Sequence, residues 1–371
     1  MYDVAIVGLG AMGSAAAWHL ARRGLRVLGL DAHCPPHPFG STHGHSRIIR
    51  EAYSEHPLYV PLVQRAYTLW HDLEHESGQA LLHTTGGLMI GAPDSALVRG
   101  AEHSARLHQL RYAIWPSAEL RERVPALSVP ETFVGLWEPR AGMLRPEAAV
   151  DAMLASARRH GAEIVCDTPV TGWQQDGASV LLATAARDFR ASRVILSAGA
   201  WIGRLLPRTR LPVTVERAVQ FWFDGGSDPG VHRADRLPVF IVESTDGRHF
   251  YGLPDHGHGV KVAEHHGGEV TTGDTVRRVV DEEERAAIQK IARRWLPGLG
   301  ALCDQSVCLY TNTPDGHFVI DRVAAHPAVA VASPCSGHGF KFAPAIGEIL
   351  ADLVTDRVPA FDLAPFRLSR F

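Results

Sequence analysis

Lys341 is the first candidate for chemistry, because it lies between two aromatic residues, Phe340 and Phe342. These neighbours would partly remove water from its ammonium group. A partly desolvated ammonium suits the binding of a carboxylate better than the solvation of a surface. The same stretch begins with Ser-Gly-His-Gly at 336–339 and leads into a helix, where glycines and free N–H groups favour negative charge. We therefore predict an anion-binding loop here.

A second basic residue, Lys261, lies in a segment, 259–266, whose residues alternate as they do in a β-strand. Because successive strand residues point to opposite faces, Lys261 and His265 would share one face. A lysine and a histidine on one face, apart from any run of charges, could line a pocket. The alternative interpretation is an edge strand that turns this face to solvent.

Two arginines, Arg47 and Arg50, follow a long loop over 32–45 that is rich in proline and glycine. Long ordered loops in compact domains are usually functional. A spacing of three places both guanidinium groups on one side of a helical turn, with Ile48 and Ile49 facing away. The alternative is a pair of ordinary surface arginines.

The opening of the chain has the spacing of a dinucleotide-binding site. A short apolar strand runs into Gly8, Gly10 and Gly13, and a helix and a second strand that stops at Asp31 follow. In such a unit the first glycine permits a sharp turn, the second leaves room for a pyrophosphate, and the third lets the helix approach the strand. Asp31 is placed to accept hydrogen bonds from a ribose diol. An ordinary βα turn, the alternative, would need only Gly8.

Further elements are predicted to position these residues. Apolar residues at helical spacing predict helices at 58–78, 147–160, 281–295 and 343–355. Short apolar runs predict strands at 84–90, 163–166, 194–197 and 328–332. Many short β runs between 212 and 272 predict an antiparallel sheet outside the opening α/β unit. The chain would thus begin and end in α/β structure, and the last glycine loop would return to the nucleotide site.

The composition argues against several classes of function. The chain has 371 residues, 46% of them hydrophobic and 21% charged, with a net charge of −3 at pH 7. This length suits two globular domains, and the weak net charge gives no sign of a nucleic-acid partner. No apolar run is long enough to span a bilayer, and a fingerprint that begins at residue 3 leaves no room for a signal peptide. We expect a cytoplasmic protein without a membrane partner.

Neither the cysteines nor the histidines have the spacing of a structural site. The five cysteines are an odd number without a C-x-x-C pair, so a disulfide framework is not expected. Among the 21 histidines are H-x-H pairs at 43/45 and 256/258 and a pair at 71/75, but no matching carboxylates or thiolates accompany them. We therefore expect no metal site.

Four stretches carry a resemblance that extends over essentially the whole chain: 31–37, 43–53, 308–315 and 336–342. Through them the sequence resembles the sarcosine oxidase and N-methyltryptophan oxidase family of flavoproteins, within the D-amino-acid-oxidase-like FAD-dependent oxidoreductases. The ending at 361–371 and His265-His266-Gly-Gly resemble the N-methyltryptophan oxidase branch in particular. Glu264 and His266 depart from the sarcosine oxidases around His265, which leaves the size of the substrate pocket open.

The resemblance implies an α/β fold with a Rossmann-like FAD-binding domain built from discontinuous segments. A β-rich substrate domain, an antiparallel sheet with helices, would complete the molecule. We expect the FAD-binding domain to comprise 1–82, 143–212 and 310–357, and the substrate domain to comprise 83–142, 213–309 and 358–371. The family also implies a monomer.

The resemblance implies a role for each matching residue in the catalytic site. Cys308 would carry FAD through an 8α-S-cysteinyl thioether. Arg50 and Lys341 would hold the substrate carboxylate, with Arg47 beside the flavin ring and Lys261 on its opposite face, where dioxygen is reduced. The amine pocket would be lined by Tyr251, His265 and Tyr310.

The cofactor site implied by the family is larger. It would comprise Gly8, Gly10, Ala11, Met12, Gly13, Asp31, Ser41, Arg47, Val170, Gly199, Trp201, Cys308, Gly337, Gly339, Phe340 and Lys341.

The implied reaction is the oxidation of an N-methyl L-amino acid, such as N-methyltryptophan or sarcosine, by dioxygen. It would give hydrogen peroxide and an imine that hydrolyses to formaldehyde and the primary amino acid. Three alternatives stay open. They are an oxidase of a cyclic imino acid such as pipecolate or proline, or of an unusual amine in biosynthesis; a dehydrogenase that passes electrons to another protein; and a non-catalytic flavin-binding protein.

Overall fold

The computed structural model describes residues 1–206 and 211–371. In these ranges it contains twenty β-strands and eight α-helices. The strands are β1 Tyr2–Val7, β2 Val27–Leu30, β3 Arg47–Ile49, β4 Leu82–Thr84, β5 Gly87–Gly91, β6 Ala113–Pro116, β7 Val134–Glu138, β8 Gly142–Leu144, β9 Glu163–Val165, β10 Val170–Asp176, β11 Ser179–Thr184, β12 Phe189–Leu196, β13 Thr214–Phe223, β14 Val239–Glu243, β15 His249–Leu253, β16 Val260–His265, β17 Val270–Thr271, β18 Leu302–Asn312, β19 Val319–Val323 and β20 His326–Ser333. The helices are α1 Ala11–Arg22, α2 Tyr59–Ser77, α3 Ala96–Leu107, α4 Ser117–Arg123, α5 Pro146–Arg159, α6 Ile202–Leu205, α7 Glu282–Trp295 and α8 Ala343–Val354.

The first sheet has the parallel core that the opening α/β unit predicts. Its central strands run in the order β20-β12-β1-β2-β9, and each neighbouring pair is parallel. The long strand β12 pairs with antiparallel β11 along its first half and with β20 along its second half. Strands β10 and β19 complete the eight-stranded sheet. Residues from both ends of the chain therefore lie side by side, and the fold is the predicted α/β class.

Alternation along β1 divides the core of this sheet into two layers. Val4 and Ile6 pack with the apolar faces of α1, α2, α5 and α8 on one side. Ala5 and Val7 pack on the other side, against the β10–β11 hairpin and α6. Since successive strand residues point to opposite faces, a strand that is covered on both sides is apolar at every one of these positions.

The second sheet has nine strands and is antiparallel except for the parallel pair β5–β14. It confirms the antiparallel region predicted between 212 and 272. Strand β16 lies between β13 and β15, so the edge-strand interpretation of this segment is wrong. Helix α7 covers the sheet and begins with a capping box formed by Asp281 and Glu284.

A third, three-stranded sheet corrects one prediction. Arg47–Ile49 form strand β3, which pairs antiparallel with β8, so Arg47 and Arg50 do not lie on a helical turn. The partners are almost a hundred residues apart in sequence: Arg47 lies opposite Leu144, and Ile49 lies opposite Gly142. Long-range pairing has overridden the local spacing.

The described ranges contain no helix that is long and apolar enough to cross a membrane. The helices predicted at 58–78, 147–160 and 343–355 are confirmed to within two residues at each end. The predicted domain limits stay a prediction; the limit at 309/310 falls inside β18, which belongs to the second sheet.

Candidate functional site

One cavity of about 880 Å³ is lined by residues of all three sheets, of the loops that follow their strands and of several helices. All but two of the predicted site residues line it. The exceptions are Gly13, which lies under the first turn, and Lys261, which is buried just behind the wall. The residues predicted at both ends of the chain, from Gly8 to Lys341, therefore meet around one space.

Glycines shape the end of the cavity that we call the nucleotide end, formed by 8–13 and 31–42. Gly8 has φ of +89°, and a Cβ atom there would lie 2.6 Å from the Ser197 carbonyl oxygen. A Cβ atom on Gly13 would lie 1.8 Å from the carbonyl oxygen of Gly8. Side chains are thus excluded at both positions, and α1 can approach β1 closely. Gly10 precedes α1, whose N-terminus faces the cavity through Ala11 and Met12.

Asp31, at the end of β2, lies on the same wall and is 7% exposed. It accepts hydrogen bonds from the N–H of Leu9 at 2.6 Å and from the N–H of His33 at 2.9 Å. Burial alone would raise the pKa of this carboxyl group. The hydrogen bonds from His37, Leu9 and His33 outweigh it and hold the pKa below its usual value. Asp31 is therefore a carboxylate at neutral pH.

The loop over 41–46 joins the two ends of the cavity and is fixed from three directions. Glu147 on α5 accepts the N–H of Gly44 at 2.6 Å and the N–H of His45 at 3.1 Å. Lys261 on β16 donates to the carbonyl oxygens of Gly44 and Ser46, both at 2.9 Å. Gly44 has φ of +111°, and a Cβ atom there would lie 2.3 Å from Oε1 of Gln220 on β13. Helix α5 and the second sheet thus hold this loop between them.

Lys261 is a buried lysine that the cavity wall covers. It is 1% exposed, and its Nζ lies 5.3 Å from the ring centre of Trp222. Burial, and then the nearby charge of Arg47, hold its pKa well below the usual value. Its two carbonyl acceptors and the indole ring stabilise the ammonium in place.

Arg47 and Cys308 are brought together at the middle of the cavity. The Arg47 guanidinium donates to Gln220 at 3.2 Å, to the carbonyl oxygen of Ser41 at 2.9 Å and to Sγ of Cys308 at 3.6 Å. Cys308 lies on β18 and is 2% exposed. A second thiol, Cys335, also lines the cavity, and burial raises its pKa to about 11.

We call the other end of the cavity the cationic chamber. It is lined by Arg50, Glu55, Tyr251, His265, Tyr310, His338 and Lys341. Arg50 is 3% exposed and donates to the Ala52 carbonyl oxygen at 2.8 Å and to the Glu55 carboxylate at 2.7 and 2.9 Å. Its Nε is buried and has no hydrogen-bond partner within the described ranges. A buried donor without an acceptor indicates a site for an anionic ligand.

Lys341 lies beside Arg50 in this chamber. Its Nζ donates to the carbonyl oxygen of His338 at 2.9 Å and lies 5.2 Å from the ring centre of Tyr53. The Arg50 guanidinium stands over the same ring at 4.5 Å. Burial, and then the charge of Arg50, lower the pKa of Lys341 to about 7. Two buried basic side chains thus lie against one aromatic ring, and one of them is already paired with the Glu55 carboxylate.

Three other side chains of the chamber, those of Tyr251, His265 and Tyr310, are neutral. His265 Nδ1 lies 3.3 Å from the hydroxyl of Tyr310, and burial holds the pKa of His265 well below its usual value. Burial raises the pKa of both Tyr251 and Tyr310, so these phenols stay protonated. A Cβ atom on Gly337 would lie 2.7 Å from the His265 ring, so the close approach of the last glycine loop requires this glycine.

The backbone that carries Arg50 is fixed by a buried carboxyl group. Glu138, at the end of β7, accepts the N–H of Glu51 at 2.7 Å and the N–H of Ala52 at 2.8 Å. Glu138 is 1% exposed, and burial raises its pKa to about 7 in spite of these two hydrogen bonds. It positions the turn from which the guanidinium projects.

Sequence reasoning missed several of these residues. Glu55, Glu138 and Tyr53 were not among the predicted site residues, and His338 was noted only as part of a glycine motif. His338 donates from Nε2 to the carbonyl oxygen of Gly316 at 3.1 Å, so its Nδ1 accepts the hydroxyl of Tyr53 at 2.6 Å. Glu138 and His338 act through long-range contacts, for which the spacing of the sequence gives no signal. Glu55 and Tyr53 contact Arg50 from within five residues, but neither belongs to a recognisable pattern.

The residues at the nucleotide end fit a dinucleotide. The glycines leave bare backbone next to a helix N-terminus, which suits a pyrophosphate, and the Asp31 carboxylate suits a ribose diol. The cavity continues from this end past Cys308 and Arg47 to the cationic chamber. A long cofactor could thus place its redox-active ring next to a carboxylate receptor.

Comparisons with known proteins agree with this geometry. The model of a family described as FAD dependent oxidoreductase matches residues 3–353. The monomeric sarcosine oxidase of Streptomyces avermitilis is 41% identical over 370 residues, which cover 98% of this chain and 96% of that protein. The N-methyl-L-tryptophan oxidase of Salmonella arizonae is 38% identical over 372 residues, which cover 100% of this chain and 99% of that protein.

Solved structures share the fold at lower identity. NikD, described as an unusual amino acid oxidase essential for nikkomycin biosynthesis, has a TM-score of 0.87 at 24% identity, over 99% of this chain and 97% of that one. The L-proline dehydrogenase of P. horikoshii has a TM-score of 0.86 at 22% identity, over 100% of this chain and 97% of that one.

Proposed function

The chain belongs to the family of FAD-dependent oxidoreductases, and on that premise we propose that it oxidises an N-methyl L-amino acid with dioxygen. The products would be hydrogen peroxide and an imine, which water converts to formaldehyde and the primary amino acid. The observation that carries this proposal is the buried Nε of Arg50, which has no hydrogen-bond partner among the residues that the structure describes and lies in the same chamber as Lys341. A carboxylate receptor of this kind suits an amino acid better than a simple amine.

The chamber would bind and orient the substrate through its charges. With the carboxylate on Arg50 and Lys341, the amine would face the neutral side chains of Tyr251, His265 and Tyr310. Nearby cations disfavour an ammonium ion, so the chamber would lower the pKa of the bound amine and favour its reactive, neutral form. FAD, when bound, accepts a hydride equivalent from the carbon next to nitrogen and passes two electrons to dioxygen.

The names of the two relatives set the choice of substrates for a test. They point to sarcosine and to N-methyltryptophan, and identities of 41% and 38% do not separate the branches. We expect peroxide release from at least one N-methyl amino acid and little from its N-acetyl analogue, which cannot form the imine. If only pipecolate or proline gives peroxide, the substrates are cyclic imino acids and not N-methyl amino acids. Reduction of the flavin by substrate without release of peroxide would indicate a dehydrogenase.

We also propose that FAD is attached through a thioether to Cys308. Its Sγ lines the middle of the cavity beside the Arg47 guanidinium, which supports this choice. Cys335 lines the same cavity and provides the matched control. After denaturation in acid, the yellow colour should stay on the wild-type and Cys335→Ala polypeptides and pass to the supernatant for Cys308→Ala. Colour that leaves the wild-type chain would contradict the attachment.

Lys261 is proposed as the cation that stabilises developing superoxide. Support comes from its burial and from the two carbonyl acceptors that fix its Nζ behind the loop that carries Arg47. We further propose that the protein is a cytoplasmic monomer, which the name of the Streptomyces relative supports for the oligomeric state. Size-exclusion chromatography with light scattering tests the monomer.

A further inference from the structure

Two thiols lie next to the nucleotide end, where the proposed reaction has no use for them. Cys34 follows Asp31 by three residues, and Cys166 is the first residue after β9. Their Sγ atoms are 2.7 Å apart. Cys34 is exposed and Cys166 is partly exposed. A small solute can therefore reach the pair from solvent.

Main-chain hydrogen bonds hold the two thiols side by side. The N–H of Asp31 donates to the carbonyl oxygen of Val165 at 3.2 Å, and the N–H of Thr168 donates to the carbonyl oxygen of Asp31 at 2.8 Å. These bonds extend the parallel pairing of β2 with β9, in which Leu30 lies opposite Val165. Because both chain segments are fixed, the sulfur atoms could be joined without separating the strands.

We propose that Cys34 and Cys166 form a reversible disulfide when the protein meets hydrogen peroxide. The pair would be a modification site for the peroxide that the enzyme itself releases, and the source of the oxidant rests on the proposed function. The site differs from the predicted attachment cysteine, Cys308, which lies at the middle of the cavity.

The chemistry balances with peroxide as the sole oxidant. The sulfur of Cys34 attacks one peroxide oxygen, the O–O bond breaks, and a sulfenic acid and one water form. The sulfur of Cys166 then attacks the sulfenic sulfur, and the second water leaves as the S–S bond forms. The two thiols lose two protons and two electrons, and the peroxide takes them up and is reduced to two waters.

The environments of the two thiols set this order. Cys34 is the more exposed of the pair and meets the oxidant first. Burial, and then the contact with Cys34, raise the pKa of Cys166 to about 11, so Cys166 stays a thiol until a sulfenic acid forms beside it. Cys303 is exposed but donates to the carbonyl oxygen of Trp222 at 3.3 Å, which makes it a matched control.

The disulfide would link two chain segments that line the nucleotide end of the cavity. His33 and Thr168, next to the two cysteines, both line the cavity, and His37 contacts Asp31 at 3.4 Å. A disulfide between Cys34 and Cys166 would also close a very long loop of chain, which restricts the unfolded state. We therefore expect the oxidised protein to unfold at a higher temperature than the reduced protein, and a thiol reductant should reverse the shift.

The first experiment treats reduced holoenzyme with stepwise additions of hydrogen peroxide, blocks free thiols and maps peptides by mass spectrometry without reduction. We expect one cross-linked peptide pair, containing Cys34 and Cys166, while Cys303 stays a blocked thiol. Cys34→Ser and Cys166→Ser should each abolish the cross-link, and Cys303→Ser should keep it. Sulfinic or sulfonic acid at Cys34, with Cys166 still a free thiol, would overturn the proposal.

The second experiment separates this inference from the proposed function. The holoenzyme turns over an N-methyl amino acid with and without catalase, and released peroxide is measured in parallel. Cross-linking that catalase prevents supports the enzyme's own product as the oxidant. Release of peroxide without cross-linking would contradict the inference that the enzyme's own product oxidises the two thiols. If no substrate gives peroxide, the proposed function is contradicted, whereas the result of the first experiment still holds.

Discussion

The two ends of the cavity are built in opposite ways. At the nucleotide end, the absence of side chains makes the site, because a Cβ atom on Gly8 or Gly13 would overlap backbone. In the cationic chamber, side chains that are widely separated in sequence, such as Arg50, Tyr251 and Lys341, make the site. One end depends on steric fit, and the other depends on charges that are held out of water.

This difference teaches how each end should respond to change. A backbone overlap is nearly all-or-none, since the chain has no flexible group that can move away. Charges in the chamber depend on one another: Arg50 helps to lower the pKa of Lys341, and it also lowers the pKa of Glu55 against the effect of burial. Substitutions in the chamber should therefore give graded effects that depend on pH.

The largest effect is expected at the nucleotide end. A methyl group on Gly13 would lie 1.8 Å from the Gly8 carbonyl oxygen, so Gly13→Ala should lower the free energy of unfolding by about 3 kcal/mol and abolish FAD incorporation. Gly172→Ala, on β10 with open space around its Cβ position, is the control and should bind FAD normally. The FAD content and the thermal unfolding of both variants are measured. Full FAD content in Gly13→Ala would refute the steric account.

The second largest effect is expected from a substitution in the proposed carboxylate receptor. Arg50→Met is expected to lower kcat/KM by roughly a hundredfold, because a buried charge-assisted contact is worth about 3 kcal/mol. Arg50→Lys should keep more of the wild-type kcat/KM than Arg50→Met but not all of it, since an ammonium lacks the planar fork of a guanidinium. Steady-state peroxide assays, together with FAD content, measure the loss. Exposed Arg99 on α3 is the control, and Arg99→Met should match wild type.

Replacement of Lys261, which is buried behind the cavity wall, should slow the reoxidation of the flavin and not its reduction. Lys261→Met is expected to be reduced by substrate at a nearly normal rate and to react with dioxygen roughly a hundredfold more slowly. Stopped-flow spectroscopy of the flavin measures the two halves separately. Exposed Lys290 on α7 is the control, and Lys290→Met should leave both rates unchanged. Reoxidation at the normal rate in Lys261→Met would remove this residue from the proposed role.

The smallest effect should be a dependence of ligand binding on pH. Burial lowers the pKa of Lys341 to about 7, so its ammonium is present below that pH and is lost as the pH rises through it. The affinity for a carboxylate without an amine should fall by up to about tenfold for each pH unit above 7. This affinity is measured at each pH, at constant ionic strength, by adding the carboxylate ligand and following the flavin absorption spectrum. Lys341→Met should bind weakly at every pH, and a wild-type profile that is flat would contradict the assignment.

The contrast between the two ends also explains what the sequence could predict. The nucleotide end is local: Gly8, Gly10, Gly13 and Asp31 lie within one short βαβ unit, and the spacing of the glycines indicates their use. The strand that carries Lys261 and His265 could be recognised by alternation, although only the structure shows that it is an interior strand.

The chamber could be predicted only in part from residue patterns. Arg47 and Arg50 were recognised as candidates, but their interpretation as a helical turn was wrong, because β3 pairs with distant β8. Glu138 fixes the backbone next to Arg50 through hydrogen bonds across the fold, and no periodicity relates the two residues. Tyr53 lies only three residues after Arg50, but no residue pattern indicates that its ring lies under the guanidinium. The role of Cys308 came from the family resemblance, whereas the aromatic neighbours of Lys341 already indicated that it binds a carboxylate. Both roles stay predictions until they are tested.

The interleaving of the two large sheets sets a rule for engineering and for evolution. The first sheet takes its strands from 2–30, 163–196 and 319–333, whereas the second takes them from 87–138 and 214–312. A chimaera that imports a relative's second sheet would therefore need two separate fragments and four junctions, and it would still keep the resident Arg50 and Lys341 in the chamber. New specificities in this lineage should arise by point changes within the walls rather than by exchange of one contiguous module.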